Sequence, residues 1–155
     1  MPSRLLLCLL LAWTPAFAGD LAGTVVGVVD GDTIDVLADG HAVRVRLAEI
    51  DAPERRQAFG TKARRALADL TFRRFVAIVD EGRDRYGRTI GTVTVDGRNV
   101  NLAMVAAGFA WAYSRYVVHP EYPAAQDAAR AARRGLWVDP HPTPPWAFRR
   151  SAGAR

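Results

Sequence analysis

Asp39-Gly40 stands between two alternating runs, Thr33 to Ala38 and His41 to Leu47. An Asp-Gly pair in that setting is a strong short-range signal for a β-hairpin with a two-residue turn. A turn at that point fixes the register. Asp35 then faces Arg44, Asp32 faces Leu47, and Asp51 lies just past the end of the second strand. Two carboxylates 19 residues apart are thereby brought to one rim of a sheet. Ile34 and Val36 point to one face of the hairpin, as do Val43, Val45 and Leu47, while Arg44 and Arg46 point to the other. In an unbroken ladder Asp32 and Arg46 therefore sit on opposite faces. They reach one site only if the strand end twists or bulges.

Three further runs read as strands: Leu21 to Val29, Phe75 to Val79 and Thr89 to Val95. Three segments have helical spacing: Phe59 to Leu70, Val100 to Ala107 before Gly108, and Tyr122 to Arg134 before Gly135. Five strands with a helix after the third predict a mixed β/α (α+β) fold. The layout is that of an OB-fold, a five-stranded β-barrel with three helices. Residues 140–145 include four prolines and read as extended. The expected organisation is a leader over 1–18, one OB-fold domain over 19–146 and a basic flexible tail over 147–155.

The leader is a secretory signal peptide by pattern. Arg4 supplies the positive start, and Leu5 to Trp13 is an apolar run too short to span a bilayer. Ala16-Phe17-Ala18 supplies the small-x-small cleavage site. A membrane anchor is the alternative. Cleavage after Ala18 removes Cys8, the only cysteine, so the mature chain has no thiol and no membrane span. It is expected to be secreted or periplasmic, and a monomer.

Charge is segregated along the chain. Residues 20–54 carry eight acids and two bases, whereas residues 55–88 carry ten bases and four acids. An acidic module beside a basic one suits a cation site next to a polyanion groove. Three acids, Asp32, Asp51 and Glu54, converging at a barrel mouth repel one another unless a cation lies among them. Oxygen donors without His or Cys favour calcium or magnesium over zinc. Arginine presents a planar fork that grips phosphate bidentately. Arg46 adjoins the acidic rim, and Arg88 follows in the loop Asp84-Arg85-Tyr86-Gly87-Arg88. A cation, a carboxylate near a water and two arginines suit phosphodiester hydrolysis. Other readings stay open: Glu54 suits the start of the next helix, and Arg88 suits a strand edge.

The chain resembles the thermonuclease, or staphylococcal nuclease-like, family. The matching pieces are Val29-Asp30-Gly31-Asp32-Thr33, Arg46-Leu47 with Ile50-Asp51-Ala52-Pro53-Glu54, and Asp84 to Arg88. Val100-Asn101, Gly108-Phe109-Ala110 and Gly135-Leu136-Trp137 follow in family order. The resemblance implies an OB-fold nuclease that needs Ca2+, cuts DNA and RNA at the 5′ P–O bond and leaves 3′-phosphate ends. It implies that Asp32, Asp51 and the carbonyl of Ala52 are metal ligands. Glu54 becomes the general base or water-orienting group, Arg46 and Arg88 contact the scissile phosphate, and Tyr86 with Arg85 lines the nucleotide pocket. Single-stranded or frayed nucleic acid is the expected substrate. Ala52 stands where well-studied members carry a hydroxyl residue. Tyr113 and Tyr116 compete for the role of phosphate-contacting tyrosine. A non-catalytic OB-fold module that binds nucleic acid or a protein is the alternative function.

Overall fold

Leu21–Val28 forms β1, Thr33–Ala38 β2 and His41–Leu47 β3 in the computed structural model, which describes residues 20–153. The expected signal segment lies outside the described residues. The β2–β3 hairpin closes on Asp39 and Gly40, whose φ values of 47° and 79° supply the positive-φ pair that such a turn requires. Its register is the expected one, with Thr33 opposite Arg46, Asp35 opposite Arg44 and Ala38 opposite His41. Arg44 donates to Asp35 through Nε at 2.8 Å and Nη2 at 3.1 Å, the cross-strand pair the spacing predicts.

A short strand β4 (Ile50–Asp51) and helix α1 (Gly60–Thr71) follow, then β5 (Phe75–Arg83) and β6 (Thr89–Val95). The remaining elements are β7 (Arg98–Asn99), α2 (Val100–Ala106), β8 (Trp111–Ala112), α3 (Glu121–Ala131), a 3-10 turn (Gly135–Val138) and α4 (Pro145–Gly153). The five long strands run in the order β3-β2-β1-β5-β6, and a parallel β3–β6 pairing joins the two ends. Closure leaves no free edge among them and makes the OB-type barrel.

Alternation puts the branched residues inside. Val25, Ile34, Val36, Val45, Leu47, Val76, Ile78 and Val93 are fully buried. The apolar stripe of α1, Ala63 and Leu67, closes the barrel beside Ala52, and Met104 and Val105 of α2 join the same cluster. A second cluster forms around Trp111, Ala129, Leu136 and Trp137, with Phe59 and Trp146 against it. The Trp111 and Trp137 rings meet edge to face at 4.4 Å, and the Arg130 guanidinium lies 4.2 Å from the Trp137 centroid. These tryptophans therefore act as packing residues.

The C-terminal expectation needs correction. Among the described residues four α-helices form where three were expected, because residues 145–153 are α4 where a flexible tail was expected from 147. Pro145 has the fixed φ that suits the first helical position. Trp146 then stacks on Tyr113, with ring centroids 5.3 Å apart and planes within 7°. Arg149, further along the helix, turns toward Asp51 and Glu54.

Candidate active site

The acidic loops are built by backbone accounting. Val29 N–H donates to the Thr33 carbonyl at 2.9 Å, closing a tight loop, and Asp32 N–H donates to Asp30 Oδ1 at 3.1 Å. Gly31 is required here by proximity. A Cβ at that position would lie 2.7 Å from Ala52 Cβ and 2.8 Å from Ala63 Cβ. Its absence lets the loop lie against both the Asp51–Glu54 segment and α1. Asp32 precedes β2, so the strand pleat does not set its side-chain direction. This resolves the parity conflict with Arg46 without a bulge at that end. Asp32 Oδ2 accepts the Ala52 N–H at 2.7 Å and lies 3.3 Å from Arg46 Nη2.

Asp51 is the most enclosed acid, with its side chain 1 % exposed. Arg46 Nη2 donates to Asp51 Oδ1 at 3.2 Å, and Arg46 Nη1 donates to the Leu47 carbonyl at 2.6 Å. One guanidinium nitrogen thus lies between the carboxylates of Asp32 and Asp51. Burial raises the Asp51 pKa and Asp32 adds repulsion, while Arg149 and Arg46 oppose the shift. Burial and the neighbouring Asp32 push Asp30 up to about 6.

Glu54 sits in a turn that it shares with Gln57. Gln57 N–H donates to the Glu54 carbonyl at 2.8 Å, and the Gln57 side chain accepts the Glu54 N–H at 3.1 Å. Helix α1 starts only at Gly60, so Glu54 is not a first-turn helix acid. Its carboxyl faces the cleft.

The 84–88 loop is organised by Asp84, which accepts the N–H groups of Tyr86 at 2.9 Å and Arg88 at 3.0 Å. Asp84 Oδ2 also accepts Arg88 Nε at 2.7 Å, orienting the guanidinium. Burial opposes ionisation of Asp84, but these bonds hold its pKa below the usual range. The Arg85 guanidinium covers the Tyr86 ring at 4.8 Å and donates to its hydroxyl at 2.6 Å. Tyr86 is 69 % exposed, a ring available for stacking.

All eight residues singled out from the sequence, Asp32, Arg46, Asp51, Ala52, Glu54, Arg85, Tyr86 and Arg88, line one cleft of about 740 Å³. Tyr113 and Tyr116 line it as well. Among the described residues no three acidic, histidine or cysteine side chains form a ready metal cluster. The donors at the rim are nonetheless all oxygen, and Asp32 and Asp51 already share one cationic nitrogen between them. That charge arrangement fits a hard divalent ion.

Two further features were not anticipated. Arg149 of α4 donates to Asp51 Oδ2 at 2.7 Å and to Glu54 Oε1 at 2.7 Å. The aromatic helix start Pro145-Trp146 was the available signal that the tail would dock. Glu49, at φ 63°, accepts the N–H groups of Val118 at 2.7 Å and His119 at 3.0 Å, and meets His119 Nδ1 at 2.6 Å. Tyr113 N–H donates to the Glu49 carbonyl at 2.8 Å. Glu49 thus latches the tyrosine-bearing segment to the acidic loop. The signal was a carboxylate among the apolar residues Leu47, Ala48 and Ile50, which burial would oblige to find partners.

A closed OB-type barrel with carboxylates and arginines gathered at one rim defines the class of protein. The chain matches the family model for staphylococcal nuclease homologues over residues 44–139. It is 50% identical to Protein ParB of Escherichia coli over 160 residues, which cover 96% of this chain and 90% of that one. It is 47% identical to a micrococcal nuclease of Shigella flexneri over 158 residues, covering 92% and 88%. An uncharacterized endonuclease of Haemophilus influenzae is 46% identical over 127 residues, covering 81% and 71%. The chain belongs to the staphylococcal nuclease family. No described helix is long and apolar enough to cross a membrane.

Proposed function

We propose that the protein is an exported, calcium-dependent nuclease that hydrolyses DNA and RNA and leaves 3′-phosphate ends. The observation that carries this reading is the convergence of Asp32, Asp51, Glu54, Arg46 and Arg88 on one cleft beside an exposed Tyr86. Family membership and the named nuclease relatives support it.

Asp32, Asp51 and the Ala52 carbonyl would hold the ion, which supplies charge neutralisation and Lewis acidity when bound. Arg46 and Arg88 grip the non-bridging oxygens of the scissile phosphate, where charge grows in the transition state. Glu54 takes a proton from the attacking water. The water oxygen joins phosphorus and the P–O5′ bond breaks. Its electron pair leaves on the 5′ oxygen, which takes up a proton. Tyr86, under Arg85, offers a face on which an unpaired base stacks. Such a platform favours single-stranded or frayed substrate, because a paired base is already stacked in its duplex. The deciding experiment digests equal lengths of single-stranded, A·T-rich and G·C-rich DNA with calcium fixed, and analyses the end groups. Rates falling in that order with 3′-phosphate ends support the reading. Equal rates on all three count against the open groove, and 5′-phosphate ends count against the bond assignment.

A further inference from the structure

The carboxy-terminal helix puts a positive charge on the two carboxylates at the centre of the cleft. Arg149 meets Asp51 bidentately, Nη1 to Oδ1 at 3.1 Å and Nη2 to Oδ2 at 2.7 Å. The same Nη1 reaches Glu54 Oε1 at 2.7 Å. A paired fork of this kind is the strong form of an arginine–carboxylate contact. The contact spans 98 residues of sequence, so only the docking of α4 makes it. The start of α4 is anchored by buried Pro145 and by Trp146 against the tryptophan cluster, whereas the Arg149 side chain is 43% exposed. Trp146, one turn earlier, fixes the approach by stacking on Tyr113.

We infer that Arg149 is an internal competitor for the divalent ion, so that α4 is a removable plug which sets the metal affinity of the site. The inference rests on the proposal that Asp51 ligates the ion. An ion binding at Asp51 meets the Arg149 fork already on both carboxylate oxygens. Each Asp51 oxygen has two lone pairs, and an ion that takes the ones the fork occupies competes with Arg149 for them. The observed affinity is then the intrinsic affinity scaled by the fraction of molecules in which the plug is open. Linkage is reciprocal, so the ion in turn loosens α4. Arg46, whose Nη2 lies between Asp32 and Asp51, also faces their oxygens, but its position does not depend on α4. It rises from β3 inside the barrel wall and is held by the Leu47 carbonyl at 2.6 Å, with a side chain only 15 % exposed.

The test titrates calcium into the full mature chain and into Arg149→Gln by calorimetry, without nucleic acid. The expected result is at least ~5-fold tighter binding in Arg149→Gln, the lower end of usual coupling between sites. The wild type should also show a saturable calcium-dependent change in tryptophan fluorescence that is lost in Trp146→Phe. This second readout stands even if Arg149→Gln folds poorly. Equal or weaker calcium binding in a folded Arg149→Gln, or a fluorescence response unaffected by Trp146→Phe, overturns the plug and makes Arg149 a structural brace. No calcium binding by either protein overturns the metal reading itself, and this inference with it.

Discussion

Asn101, fully buried in α2, donates through Nδ2 to the Ala48 carbonyl at 3.1 Å, across 53 residues of sequence. The same nitrogen lies 3.1 Å from the Gly91 carbonyl, and Asn101 Oδ1 accepts the Val93 N–H at 3.1 Å. One side chain thereby ties the start of the acidic loop to β6 and to α2. Each buried group left unpaired costs ~1–3 kcal/mol. Asn101→Ala should destabilise the protein by at least ~3 kcal/mol, read as a lower urea midpoint with little change in slope. A loss within ~0.5 kcal/mol, the usual range for surface sites, would contradict this account of the loop.

The arginine fork should be separable from arginine charge. Arg46→Lys and Arg88→Lys keep the charge and lose the planar pair of donors. Turnover should fall ~10²–10³-fold in each, the range for removing one transition-state donor. Arg65→Lys, on the exposed face of α1, should stay near wild type. Arg64 is a poor control, because its Nε donates to the Val28 carbonyl at 2.9 Å. Equal losses at positions 46, 88 and 65 would assign the effect to general basicity.

Glu54 lies at the cleft surface and outside the hydrophobic core, with its side chain 37% exposed. Glu54→Gln should lower turnover by ~10²-fold or more, as expected for loss of a general base. Substrate binding and the circular dichroism spectrum should change little. Wild-type turnover in this variant would remove Glu54 from the chemistry.

The Glu49–His119 latch carries a pH signature. The hydrogen bond to Glu49 raises the His119 pKa, and the charges of Glu49, Glu121 and Glu81 add to it. Its contribution is therefore full below the ordinary value of 6.5 and fades as pH rises through the raised value. Burial opposes ionisation of Glu49, yet the Val118 and His119 bonds bring its pKa below the ordinary 4.5. Its contribution is present above 4.5 and is lost as pH falls through the lowered value. The pair is strongest between those limits. The difference in Tm between wild type and His119→Asn should be larger at pH 6 than at pH 8.5. A difference that does not vary with pH would mean that the histidine ring charge plays no part.

Much of this was legible because it is local. Asp39-Gly40 set the β2–β3 register, and that register placed Asp32, Arg46 and Asp51 at one rim before any packing was known. Asp84 to Arg88 is a loop whose acid satisfies its own backbone, so its conformation is nearly self-contained. What escaped was long-range. Arg149 reaches Asp51 only after Trp146 finds Tyr113, a contact between α4 and the segment after β8 that no periodicity encodes. His119 meets Glu49 across 70 residues, and neither neighbourhood signals the other. Asp32 shares a rim with Arg46 because β2 begins only at Thr33, although the Asp32 carbonyl still accepts the Leu47 N–H at 2.8 Å.

The proposed dependence of nucleic-acid hydrolysis on an ion held at Asp32 and Asp51 can be measured in one assay. The direct measurement is the initial rate of cleavage of an end-labelled single-stranded DNA with calcium and with excess chelator, for wild type and Asp51→Ala. Cleavage is expected only from wild type with calcium, and is restored when calcium is added back after chelation. Undiminished cleavage in chelator, or by Asp51→Ala, would contradict it.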